Sequence, residues 1–301
     1  MSDQSHKLNA ALTEFRGQID AIDDQIMDLL LARCEVVKQV GKLKERNHVS
    51  GSFIRPKRES DMIKRIAGFF EGTDFPPEVA AHIWRNIIGT SLRMESPLNT
   101  AVHCPNGSLV PFFFARDFFG GTVPSAVFPT AQATIEATEN NPHTVAIINQ
   151  NDVGDIKPWW LHIALSEHKL RIFTCIPFVQ KLTGSAAQNP FLAIGHVDCE
   201  ATGDDISYLV AHFDTPYPTG NAKVLVDKWL ELGDFRGSTV ATIEQGRNGW
   251  SCLIKLQGYA CPVDGDGSFS DIQQHIGQCS DGSLDNLYFI GAHAMPCLIE
   301  D

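Results

Sequence analysis

Arg33 and Lys44 stand in the apolar run LLLARCEVVKQVGKLKE, residues 29–45. On an α-helix, eleven residues turn through about 1100°, so both cations fall within about 20° of one line and roughly 16 Å apart along the axis. Two positive charges facing one volume repel each other unless an anion lies near them, and a charge on an apolar helix face is costly unless paired. Two arrangements satisfy this: a small acidic ligand held inside a helical bundle, or structural salt bridges to acids of a neighbouring helix. Arg16 lies about 25 Å along the same axis from Arg33 and some 100° around it, too far to grip the same small molecule, and suits a site in a partner chain. Arg55, Lys57, Arg58 and Glu59 open a second helix, where the positive end of the dipole favours anions. Ser91 and Glu95 lie four apart on a third and share a face.

The elements that carry these residues are legible. Phe15, Ile19, Ile22, Ile26, Leu29, Arg33, Val36, Val40 and Leu43 step by fours and threes, predicting one helix over 8–46. Such a helix reaches about 55–60 Å, beyond the diameter of a hundred-residue domain, so half of it needs another chain beside it. Ser50 and Gly51 interrupt the pattern. RPKRESDMIKRIAGFF (55–70) resumes it with Met62, Ile66 and Phe69 on one face, and Pro76-Pro77 opens a third helix with Val79, Ile83 and Ile87 in register.

From about 101 the texture changes to short apolar runs between Gly, Pro, Asn and Asp clusters: VAIINQ, RIFTCIPF, FLAIGHV, ISYLVAHF and SCLIKLQGY. Helices are expected at 130–140 and 221–232. A chain of 301 residues suggests two or three domains. Residues 1–100 carry 14 basic and 14 acidic residues, while 10 basic and 22 acidic residues lie downstream. That asymmetry supports a boundary near Pro97, and the acidic remainder argues against nucleic acid as a partner. No run approaches the roughly 20 apolar residues of a membrane span, and MSDQSHKLNA lacks the build of a secretory signal, so no membrane and a cytoplasmic address are expected. Eight scattered cysteines without CxxC pairs predict free thiols, and no structural metal is expected.

Taken together, EFRGQIDAIDDQIMDLLLARCEVVKQVGKLK, IRPKRESDMIKRI and IWRNIIGTSLRMES resemble the all-helical (type II) chorismate mutase family over residues 8–98. The resemblance implies an intertwined helical homodimer that converts chorismate to prephenate, a pericyclic rearrangement needing no nucleophile, metal or cofactor. Rate then comes from holding a folded dianion and from electrostatics. By position, Arg33, Arg58 and, across the subunits, Arg16 would bind the carboxylates, helped by Ser91, since guanidinium forks match carboxylates. Lys44 would donate to the ether oxygen opposite Glu95, Glu59 would accept from the ring hydroxyl, and Arg55 would contribute its backbone where some relatives have Asp. Glu95 stands where many bacterial relatives carry Gln; an ionised Glu cannot donate, so activity should decline as pH rises.

The remainder resembles the prephenate dehydratase and regulatory segments of bifunctional chorismate mutase/prephenate dehydratases. CPNGSLVPFFFARDFFG is similar to the glycine-rich start of the dehydratase, and FPTAQATIEATENNPHTVAIINQND to its helix and ligand-facing strand. Only a short connection joins RIFTCIPFV to NPFLAIGHV where a second lobe would be inserted, and the Thr-Arg-Phe signature reads Asn189-Pro190-Phe191. The resemblance thus implies lost dehydratase activity. Residues 203–301 resemble an ACT-type α+β fold. In relatives that fold binds phenylalanine between subunits, making an aromatic amino-acid effector the implied partner; TIEQGR and TGNAKVL replace the usual Glu-Ser-Arg-Pro and Gly-Ala-Leu. The expected architecture is multidomain: an all-α three-helix domain (1–100), a truncated α/β lobe (101–200) and an ACT-like α+β domain (201–301). A lyase of the same helical fold that splits pyruvate from isochorismate, and a regulatory pseudo-enzyme, are the alternatives. CPVDGDGSFSD reads as a polar turn rather than a calcium loop, His162 and His168 as ordinary histidines, and Trp159-Trp160 as core or interface.

Overall fold

The computed structural model describes residues 2–47, 53–152, 158–181, 190–246, 249–263 and 267–299. Part of the loop ERNHVSGS, Asn189 of the altered signature and Arg247 of TIEQGR lie outside the described residues. Contacts divide the chain into two compact units, one of residues 1–50 with 94–96, the other of 51–93 with 97–301. The contacts thus group residues 51–93 with the downstream chain, whereas the charge count suggested a division near residue 100.

The first unit is dominated by helix α1 (Ser2–Arg46), 45 residues and therefore about 67 Å long. Its apolar stripe lies open: Phe15 is 59% exposed, Leu29 70% and Leu43 61%. Each such side chain, once covered, is worth roughly 1.5–3 kcal/mol. Among the described side chains of α1 only Arg33, Cys34, Val37, Gly41 and Lys44 are half-buried. Those positions run along one line, so Arg33 and Lys44 do share a face.

The second unit begins with α2 (Pro56–Phe70) and α3 (Pro77–Glu95, whose final residues belong to the first unit). Pro56 occupies the first turn of α2, where its missing N–H costs nothing. The buried faces differ from expectation. α2 buries Ser60, Ile63, Ile66 and Ala67 while Phe69 is 74% exposed; α3 buries Ala80, Ala81, Arg85, Ile88, Gly89 and Ser91 while Val79 and Ile83 lie open. Both helices are apolar on more than one side: Ile66 is buried and Met62 packs against the core as part of the expected α2 face, whereas Phe69, Val79 and Ile83 point away from it. A Cβ at Gly89 would lie 1.8 Å from the Phe119 carbonyl oxygen, so only glycine permits that approach.

Downstream come β1 (Asn99–His103), α4 (Val110–Phe119), β2 (Ser125–Phe128), α5 (Ala131–Glu139), β3 (Thr144–Asn149), α6 (Trp159–Leu165) and β4 (Arg171–Ile176). They are followed by β5 (Val179–Lys181), β6 (Phe191–Gly195), β7 (Asp205–Phe213), α7 (Ala222–Leu232), β8 (Gly237–Gln245), β9 (Gly249–Gln257), α8 (Ser268–Cys279), β10 (Leu284–Ala294) and β11 (Cys297–Ile299). Helices α4, α6 and α8 were not expected, α8 beginning inside the polar segment CPVDGDGSFSD.

Nine strands form one sheet in the order β2-β1-β3-β6-β4-β10-β7-β9-β8. β1 pairs in parallel with β2 and β3, joined by helical crossovers, and β3 is buried nearly throughout, as befits a parallel strand covered on both faces. β6 lies antiparallel between β3 and β4. The last four long strands, with α7 and α8, make an antiparallel βαββαβ unit ordered β10-β7-β9-β8, the split βαβ plan. The two halves join where β10 meets β4 at Gly291 and Ile172. Gly291 has φ 140°, and a Cβ there would sit 2.3 Å from the Ile172 backbone N and O. Beside that junction runs a buried polar chain. The Tyr208 hydroxyl donates to Gln150 Oε1 at 2.9 Å and lies 3.3 Å from His293 Nε2, while His293 Nδ1 donates to the Ala294 carbonyl at 2.8 Å. Burial pulls His293 down to about 4, which keeps its ring neutral.

One apolar cluster takes in Ile63, Ala81 and Ile88 of α2 and α3 together with Val102, Ile147 and Leu192 of the sheet. A second fills the βαββαβ unit around Phe213, Trp250 and Ile276.

Candidate functional site

Lys44 is placed by the last turns of α1 and Glu95 by the last turn of α3, both within the first unit. Lys44 Nζ donates to Glu95 Oε2 at 2.5 Å, with the side chains 22% and 11% exposed. The pair sits beside Gly41, where an added Cβ would meet Glu95 Cγ at 3.8 Å, an ordinary van der Waals contact. Glu95 therefore accepts from Lys44, and the salt-bridge arrangement describes this cation. Arg33 lies half-buried on the same line of α1, and Arg16 is exposed.

The other predicted residues belong to the second unit. Arg58 is exposed. Arg55 precedes α2 and pairs with Glu200 at 3.7 Å, so its side chain faces the downstream chain. Ser91 is buried and donates to the Ile87 carbonyl at 2.7 Å, which leaves its oxygen as an acceptor.

Glu59 has a partner that sequence reasoning missed. Arg85 Nη1 donates to Glu59 Oε2 at 3.1 Å, with the two side chains only 7% and 12% exposed. Glu59 Oε1 is buried and, among the described residues, without a hydrogen-bond partner. Burial pushes the Glu59 carboxyl up and pulls Arg85 down to about 10; desolvation outweighs pairing on both sides. The signal for Arg85 was present: it stands between Ala81 and Ile88 on one helical face, a cation in an apolar stripe like Arg33.

Elsewhere, His162 Nε2 lies 3.1 Å from Glu139 Oε1, to which Ser166 Oγ donates at 2.6 Å, a clamp between α5 and α6. Trp159 and Trp160 are buried in the core. All eight cysteines are free, and burial pushes the thiols of Cys175 and Cys199 up to about 12, poor conditions for a nucleophile. Among the described residues no group of three His, Cys, Asp or Glu side chains could hold a metal, and no helix is long and apolar enough to cross a membrane.

A long amphipathic helix whose Lys44 pairs with Glu95 at the end of α3, followed in sequence by a mixed sheet region, defines an all-helical segment with an α/β extension. Residues 15–96 match the family model of chorismate mutase type II. The bifunctional chorismate mutase/prephenate dehydratase of Aquifex aeolicus is 31% identical over 112 residues, 36% of this chain and 30% of that protein. Its counterpart in Neisseria gonorrhoeae is 27% identical over 154 residues, 50% of this chain and 41% of that protein. The matches thus span less than half of these relatives. Among solved structures, a prephenate dehydratase from Arthrobacter aurescens in complex with L-Phe is similar at 12% identity and TM-score 0.46, over 65% of this chain and 90% of that one.

Proposed function

We propose that the protein is a chorismate mutase working as a homodimer, with an extension that does not dehydrate prephenate. What supports the reading is that the chain, within the stretch matching the type II family, sets Lys44 against Glu95 across 51 positions. The rearrangement breaks one C–O bond of the enolpyruvyl ether and forms one C–C bond, with no atom gained or lost. Negative charge gathers on the ether oxygen as that bond lengthens, and a Lys44 ammonium that turns to it stabilises the transition state more than the ground state. Arg33, Arg58 and the Arg16 of a second chain grip the carboxylates and hold the substrate folded. Ser91 assists them, and Glu59 accepts from the ring hydroxyl. Glu95 must release Lys44 and be protonated to donate alongside it. The open apolar stripe of α1 supports the homodimer, since a second copy would cover it. The βαββαβ unit is a candidate module for an aromatic amino-acid effector, and Asn189, Pro190 and the short connection support loss of dehydratase chemistry.

The test is direct. Purified protein given chorismate should yield prephenate and no phenylpyruvate; given isochorismate it should release no pyruvate. Phenylpyruvate would reject the inactive extension, pyruvate would favour the lyase, and no turnover of either substrate would favour a regulatory role.

A further inference from the structure

Glu59 is a carboxylate with one oxygen committed and one bare. Oε2 takes the bond from Arg85, and Oε1 is buried with no hydrogen-bond partner among the described residues. A buried acceptor left unsatisfied costs about 1–3 kcal/mol, a cost that a donor hydroxyl would recover. Arg85 is itself held firmly. Its guanidinium carbon lies 3.8 Å from the centre of the Phe118 ring on α4 and 5.5 Å from that of Phe178, just after β4. Such stacking orients a guanidinium plane and leaves its edge to the carboxylate. The clamp thus reaches Glu59 on α2 through Arg85 on α3 from two elements of the downstream chain.

We propose that Arg85 is a positioning residue of the mutase site, clamped by Phe118 and Phe178 so that it turns Glu59 Oε1 toward the substrate's ring hydroxyl. This rests on the role given to Glu59 above. It assigns the extension a task in the rearrangement: its aromatic side chains hold the residue that holds the hydroxyl acceptor.

A cavity of about 90 Å³ beside Arg85 is lined also by Glu78, His82 and Asp117. Glu78 pairs with Lys181 at 3.2 Å, and the Arg55 carbonyl accepts from the Glu59 backbone at 3.0 Å. Cys175 of β4 faces Arg85, its thiol kept neutral by burial. Arg85 is therefore the cation that opposes burial at Glu59. Without it the carboxyl protonates at higher pH and offers a poorer acceptor.

The experiment measures kcat and KM for chorismate from pH 5 to 9 on the full chain and on Arg85→Met, Arg85→Lys, Phe118→Leu and Glu59→Gln. It is paired with carbon-13 NMR titration of the Glu59 carboxyl, assigned with Glu59→Gln. Arg85→Met should lower kcat roughly 10- to 100-fold and move the acid limb and the carboxyl titration together to higher pH, with Arg85→Lys restoring most of both. Adding Arg85→Met to Glu59→Gln should move the limb no further. Should Arg85→Met fail to fold, Phe118→Leu retains both charges and should still cost several-fold in kcat. An acid limb unmoved by Arg85→Met, or an unchanged kcat in Phe118→Leu, overturns the proposal. If the parent chain turns over no chorismate while its Glu59 titration still depends on Arg85, the mutase reading is what has failed.

Discussion

Helix α1 and the pair α2–α3 are built from similar amphipathic sequence and end in different states. Along α1 the apolar positions face outward, Leu29 and Leu43 among them, and among the described side chains only Arg33, Cys34, Val37, Gly41 and Lys44 are half-buried. In α2 and α3, Ile63, Ala81 and Ile88 are sunk into a core shared with the sheet, and the charges there are clamped by rings and by one another. The lesson is where stability comes from. α2 and α3 draw theirs from the chain that follows them, whereas the apolar stripe of α1 is left exposed by the chain's own residues. Helix propensity alone does not sustain an exposed apolar helix of that length.

The sharpest way to break this contrast is at Gly291. Gly291→Val should cost more than about 4 kcal/mol, because the side chain would meet the Ile172 backbone at a positive φ. Urea unfolding should find the sheet unit gone; a variant within about 1 kcal/mol of the parent would mean the halves are not joined there. Next, if the proposed mutase site is right, Arg33→Ala should reduce turnover on the order of 10³-fold with far-ultraviolet circular dichroism unchanged, because Arg33 lies on a helix that buries little apolar surface. An active variant removes Arg33 from the site.

A third effect belongs to the sheet. His293 falls to about 4 in the fold from its ordinary 6.5, so the unfolded chain takes up a proton first as the medium acidifies. The stabilisation is complete above pH 6.5 and shrinks as pH falls toward 4, by up to about 3 kcal/mol. His293→Gln should flatten that slope in a series of urea midpoints. The smallest effect is expected on α1: Leu29→Asp should weaken self-association by about 1.5–3 kcal/mol per buried side chain and leave the sheet's unfolding where it was. Sedimentation velocity checks the first part, and a parent chain that is monomeric at every concentration would sink the dimer.

The same contrast explains what could be read from the residues alone. α1 was legible because its apolar period runs unbroken, and the shared line of Arg33 and Lys44 follows from helix geometry. The joining of Lys44 to Glu95 needed only that a helix end near a helix end. The buried faces of α2 and α3 were not legible, because Val79 and Ile83 make as good a stripe as Ala81 and Ile88 until the sheet selects one. α4 was hidden because VPFFFARDFF sets five phenylalanines and a proline against only Arg116 and Asp117, which leaves no polar side to reveal a period. Nor does any local signal announce that β10 docks beside β4, a pairing that depends on one glycine far from its partner in sequence. Arg85 could have been found by the logic applied to Arg33, had α3 been placed against the correct face.

The chain of Gln150, Tyr208 and His293 has a mechanical meaning. A hinge needs slack at its axis, and here the seam between the two halves of the sheet is buried and hydrogen-bonded. Swinging one half against the other would strand these polar groups, at about 1–3 kcal/mol for each one left unsatisfied. The nine strands therefore act as a plate rather than a pair of doors, and a push against the last strand is delivered to the first ones without being spent in bending.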